Sequence, residues 1–227
     1  MFNRINDAIF NRTRLSRSRH CGDGPLREFL KTPAPSLSCK LVDLEFLVAD
    51  LEMTGLDPKT DKILSIGTTL IKAKGIDHSN ATHQLVFQDN ADLTVSAPIH
   101  RIFNQDVAQG VPLEQALNEF LSQLSGRVLV LHHATLDKGF LDAALIELYA
   151  TGLVCRTIDT MQIERRRLKY QGREAHQINL ASCRQRYRLP AYTAHNAAID
   201  ALATAELLLA QLSHIDPNNN LPLSYLT

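Results

Sequence analysis

Cysteine is scarce and unpatterned. Cys21, Cys39, Cys155 and Cys183 are the only four, and no two stand in C-x-x-C spacing. That excludes a disulfide framework and a thiolate zinc site, and reads as the reduced thiols of a cytoplasmic protein. Net charge is absent, with 24 Lys and Arg against 24 Asp and Glu. The molecule as a whole therefore exerts no electrostatic pull on nucleic acid. No apolar run approaches the ~20 residues of a membrane span. No signal-peptide apolar region follows the N-terminal charges, so no membrane partner is expected. Internal repeats and low-complexity segments are also missing.

What is present is enough apolar residue, 44% of 227, for a real core and one large domain with an extension. Charge is unevenly spread: residues 1–40 hold eight Lys/Arg and three acids, and residues 165–188 hold eight against one, Glu174. Residues 1–44 read as a basic N-terminal extension and linker. Arg4, Arg12, Arg14, Arg17 and Arg19 open it, and Pro33, Pro35 and the serines to Ser38 close it. A short helix at 25–31 would pack Leu26, Phe29 and Leu30 on the domain. A flexible basic arm is the expectation, ahead of a transit peptide. Residues 45–213 read as the domain, and 214–227 as a polar tail.

Within the domain, an apolar run at 46–51 reads as a first strand and the β-branched 62–73 as a second. Residues 84–87 give a short third strand, with Gly75 to Asn80 as the turn before it. A helix follows Pro112, with Leu113, Leu117, Phe120, Leu121 and Leu124 at helical spacing, and Gly126 ends it. Residues 127–131 read as a parallel strand buried on both faces. The next helix carries Leu141, Ala144, Leu145 and Leu148. A strand at 155–158 and helices at 160–170, 178–188 and 197–213 complete the order. Hairpins followed by strand–helix alternation imply an α/β fold, a mixed five-stranded sheet with helices on both faces.

Asp50 and Glu52 stand two apart at the exit of the first strand, so both carboxylates point to one side. Two such groups repel unless a proton or cation comes between them, and hard divalent cations take oxygen ligands of this kind. Thr54-Gly55 then turns the backbone. Asp43 and Glu45 repeat the spacing but lack the turn, and read as solvated. Asp137 falls in the first turn of a helix, which its dipole alone would favour. His195 precedes the last helix and Asp200 lies in its first turns. Singly, each is more ordinarily a helix-start acid or a loop histidine. Together they converge, because ligands of open sheets sit beyond the carboxyl ends of parallel strands.

Three runs then carry a resemblance. VADLEMTGLDPKTDKILSIG, HHATLDKGFL and HNAAIDALATAELL resemble, in order, the three motifs of the DEDD exonuclease superfamily. The His-x4-Asp of the third places the likeness in the DEDDh branch, over about residues 46–213. The resemblance implies a ribonuclease H-like fold and 3′–5′ hydrolysis of nucleic acid to nucleoside 5′-monophosphates. It implies Asp50, Glu52, Asp137 and Asp200 as ligands of two Mg2+ or Mn2+ ions, and His195 as general base. Thr54 and Leu56 match positions that touch the terminal nucleotide. His133 replaces a usual Asn and Leu136 a usual Phe, which puts substrate preference in doubt. Single-stranded 3′ ends and a DNA polymerase or other replication or repair protein are the implied partners. A phosphodiesterase of very short oligonucleotides, or a non-catalytic module docking on a polymerase, are the alternatives. The basic segment 165–188 stays open between solvated helix faces and phosphate contact aided by Tyr170 and Tyr187.

Overall fold

The computed structural model of the chain describes residues 2–73, 75–88, 102–193 and 195–227. Its centre is β1 (Phe46–Met53), which pairs antiparallel with β2 (Ile63–Lys72) and parallel with β4 (Val128–Leu131). β3 (Gly75–Leu85) pairs antiparallel with β2, and β5 (Thr157–Asp159) parallel with β4, giving the order β3-β2-β1-β4-β5. All four residues of β4 are buried, as expected of a parallel strand covered on both faces.

The two faces of β1 separate by the strand period of two. Leu47, Ala49 and Leu51 enter one core with α2 (Pro25–Lys31), α4 (Leu113–Leu124) and α5 (Ala134–Tyr149). Phe46 and Val48 enter the other with Ile163 of α6 (Thr160–Tyr170) and Ala205 and Leu208 of α8 (Ala197–Ile215). The chain also forms the short helices α3 (Asn104–Val107) and α7 (Leu180–Arg186). Asp50 and Glu52 share the parity of Phe46 and Val48, so they face the α8 side. α8 is long and apolar enough to cross a membrane by composition. Its buried Ala197, Ala201, Thr204, Leu208 and Gln211 make it a helix packed against the sheet.

Three expectations change. The turn expected at Gly75–Asn80 is strand: β3 begins at Gly75, and the chain reverses beside Ala73, which sits at φ 47°. β3 is an edge strand whose middle residues are exposed, so no apolar alternation marks it. The basic arm is instead α1 (Phe2–Ser18). Arg14, only 2% exposed, donates to the carbonyls of Val154, Phe29 and Thr32 and lies 4.3 Å from the Phe29 ring centre. Asp7 pairs with Arg156 at 2.8 Å, and Arg156 stacks on Phe10. Charge counting cannot tell an arginine facing water from one facing carbonyls. The C-terminal stretch also packs inward: Leu223 and Leu226 are buried in the α8-side core, and Leu41 N–H donates to Leu221 O at 2.9 Å.

Candidate active site

β1 delivers the first two acids. Glu52 is buried and Asp50 partly so, and a register shift between Glu52 and Met53 ends regular pairing. Asp50 lies opposite Gly67 of β2. A Cβ on Gly67 would meet the Ala197 carbonyl carbon and oxygen at 2.1 Å. The first turn of α8 therefore rests directly on the bare backbone of β2, which brings Asp200 over β1. Carboxylate oxygens of Asp50, Glu52 and Asp200 all lie within 4.8 Å of one another. Gly67→Ala should push α8 outward and lower kcat by at least ~10-fold, since small misplacements of reacting groups are costly. Steady-state rates beside circular dichroism check this, and an unchanged rate in folded protein would refute it.

Asp137 enters from the other core, in the first turn of α5, and is 5% exposed. Its carboxylate faces the Leu51 N–H and raises the pKa of Asp50. The helix start is held by Asp159 at the end of β5, which accepts from the N–H groups of His133 and Ala134, each at 3.1 Å. Asp159 also caps α6 through Met161 N–H at 2.9 Å. Asp200 Oδ2 accepts from the N–H of His195 at 2.7 Å, and Asn196 caps α8 through Ile199 N–H.

The electrostatics follow from burying acids together. Asp50 is raised well above the usual carboxylate range by burial, then by Asp137, Asp200 and Glu52. Burial and the neighbouring Asp200 and Asp137 push Glu52 up to about 7. Burial pushes Asp137 to about 7 against the backbone N–H groups that face it. Asp200 is raised by burial and opposed by the N–H groups of His195 and Asn196. A site that disfavours its own ionised acids suits a cation. The donor set, carboxylate oxygens alone, suits a hard divalent ion.

His195 is exposed on the loop before α8, at φ 66°. His133 is exposed at the N-terminus of α5, at φ 77°. Leu56 is 75% exposed at the top of the β1–β2 loop. The Thr54 hydroxyl is turned into that loop, donating to Asp61 Oδ1 at 3.2 Å and accepting from Lys62 N–H at 2.9 Å. Asp43 and Glu45 lie at the opposite end of β1, where Glu45 pairs with Arg127 at 2.7 Å.

Of the basic segment 165–188, several members hold helices together. Glu164, whose side chain is 0% exposed, accepts from Arg167 at 2.6 Å and from Tyr187 at 3.0 Å. Arg186 lies 3.7 Å from the same carboxylate. Arg165, Lys169 and Tyr170 stay exposed. Arg167→Gln should therefore cost roughly 2–3 kcal/mol of stability by weakening a buried carboxylate's pairing. Thermal melting checks this; an unchanged midpoint would return Arg167 to the surface class.

Sequence reasoning missed Gly67 and Asp159. Each leaves a signal: a glycine inside an apolar strand marks close backbone approach, and an Asp just before a helix marks a cap.

A five-stranded mixed sheet with four acids gathered at the end of its central strands is the layout of a ribonuclease H-like nuclease. The family model described as Exonuclease (RNase_T) matches residues 47–208, and the chain belongs to that family. The DNA polymerase III subunit epsilon of Treponema pallidum is 29% identical over 169 residues, covering 74% of this chain and 77% of that protein. The PolC-type DNA polymerase III of Thermotoga maritima is 29% identical over 167 residues, where the match spans 12% of the larger protein. Among solved structures, Exonuclease X in complex with 5′ overhanging duplex DNA matches with a TM-score of 0.62 at 20% identity, covering 80% of this chain and 99% of that one. Cell-death related nuclease 4 matches with a TM-score of 0.66 at 15% identity, covering 75% and 64%.

Proposed function

We propose that the protein is a divalent-metal-dependent 3′–5′ exonuclease acting on single-stranded ends and releasing nucleoside 5′-monophosphates. The observation that carries this is the acid cluster, three carboxylates with oxygens inside 4.8 Å and Asp137 pressing on Asp50. The polarity follows the resemblance of the three motifs, and the relative that is a subunit of a DNA polymerase supports the choice of a DNA polymerase as partner. Two Mg2+ or Mn2+ ions, when bound, would supply positive charge for the attacking and leaving oxygens of an in-line displacement at phosphorus. Asp50, Glu52, Asp137 and Asp200 would hold them, which would relieve the carboxylates' mutual repulsion. His195, exposed beside Asp200, takes the proton of the attacking water on its imidazole. Leu56 offers an apolar surface to the terminal base, while His133 and the backbone at Thr54 line the same end of the sheet.

The test is digestion of 5′-labelled single- and double-stranded DNA and RNA with Mg2+ or Mn2+. Expected is a ladder shortening from the 3′ end, abolished by EDTA and absent on circular substrate. Full activity in excess chelator, or cutting of the circle, would overturn the reading.

A further inference from the structure

Among its described residues, the loop that carries His195 holds no regular secondary structure. Pro190, Ala191, Tyr192 and Thr193 are all exposed, and no strand or helix includes them. At one end the loop is fixed by Asp200, which accepts from His195 N–H. At the other end, a buried arginine from α7 holds it at Pro190. The Arg184 side chain is 4% exposed, and its guanidinium reaches three directions at once. Nη1 donates to the Ala203 carbonyl of α8 at 2.5 Å, and Nη2 donates to the Pro190 carbonyl of the loop at 2.8 Å. Nη2 also meets Glu206 Oε2 of α8 at 2.7 Å. The Tyr192 ring covers the guanidinium at 4.7 Å, and its hydroxyl donates to Glu206 Oε1 at 2.9 Å.

We propose that Arg184, with Glu206 and Tyr192, is a positioning device for the reaction: it holds the His195 loop against α8 at one height above Asp200. It acts through His195 and rests on the reading of His195 as general base. A planar fork of donors can serve two carbonyls and a carboxylate together, which an ammonium cannot do in fixed directions. A buried ion pair gains little stability over apolar packing of the same volume, so stability alone gives no reason for this arrangement. The geometry supplies one. Arg184, Pro190, Tyr192, Asp200 and Ala203 wall a cavity of about 320 Å3 beside the acid cluster. His195 is tied to that wall through its N–H on Asp200, so releasing the loop at Pro190 and Tyr192 would let it shift relative to the cluster. Displacements of about 1 Å cost on the order of 10²-fold in rate.

The test is a double-mutant cycle with His195→Ala, read as single-turnover rate, KM and melting temperature. Arg184→Met should lower kcat by roughly 30–100-fold with KM within about 3-fold. In the His195→Ala background the same change should cost less than about 3-fold, because the group it positions is gone. A purely structural loss would multiply in both backgrounds. Tyr192→Phe removes one hydroxyl from an exposed side chain and gives the same cycle in folded protein should Arg184→Met not fold. Its expected loss is roughly 5-fold, vanishing without His195. Equal losses in both backgrounds, or wild-type kcat in Tyr192→Phe and in folded Arg184→Met, would overturn the proposal. Wild-type kcat in His195→Ala alone would remove the base assignment and the positioning role with it, a result visible before the cycle is closed.

Discussion

Asp50→Asn lowers exonuclease activity by at least ~10³-fold, the scale of several kcal/mol of lost charge stabilisation, yet makes the metal-free protein more stable. Both effects have one cause. Asp50 is pressed by burial and by three other carboxylates, so its charge is useful only to a bound cation. The amide keeps the shape and removes the repulsion. That gain would show as a higher melting midpoint of the metal-free protein.

The linkage has a definite sign. Glu52 and Asp137 have folded-state values of about 7 against ordinary values of 4.5 and 3.8. The folded chain therefore holds protons that the unfolded chain has released. Their contribution to stability is largest below the ordinary values, declines as pH rises from about 4 to about 7, and stays low above that. Divalent metal should flatten this decline. Melting curves of wild type and Asp50→Asn between pH 5 and 8, with EDTA or Mg2+, measure it. A lower midpoint for metal-free Asp50→Asn would contradict the account, as would a wild-type midpoint insensitive to metal at pH 8. Asp43→Ala, at the far end of β1, should change neither activity nor the metal response.

His195→Ala lowers kcat by ~10²–10⁴, the usual contribution of a positioned general base, with substrate and metal binding nearly intact. The acid cluster does not include the imidazole, so its removal leaves the carboxylates in place. Because His195 is exposed, free imidazole in solution can reach the vacated position and should restore part of the rate. Calorimetric titration of Mn2+ separates the two roles. Near-wild-type kcat in the variant, or loss of metal binding in step with rate, would remove His195 as the base.

The central strand and the membership of the acid pair on one face are legible in sequence because both are local. An apolar run names the strand, and the period of two sets Asp50 and Glu52 beside each other. The mixed sheet is legible too, since the continuous apolar run Val128–Leu131 is what a strand covered on both faces requires. Most of β3 escaped, with only Gln84 and Leu85 falling in the strand expected at 84–87, because an edge strand facing water carries no alternation to read. The first helix escaped because the sequence counts Arg14 as charge, whereas the structure places it on carbonyls and on the Phe29 ring.

The sequence by itself determined the chemistry of the parts: four carboxylates and a histidine in three short motifs, each on an element whose type its own periodicity sets. Only the tertiary structure decided that they meet. Asp200 is 150 positions from Asp50, and periodicity holds no information on that distance. What closes it is the missing side chain of Gly67, which lets α8 settle on β2. The seat of Pro190, in the loop before α8, is likewise decided by contacts from Arg184 on α7 to the loop and α8. Those contacts depend on where three separate elements pack. Local patterning specifies which groups an element presents; close approach between elements depends on the volumes of the residues facing each other across the fold.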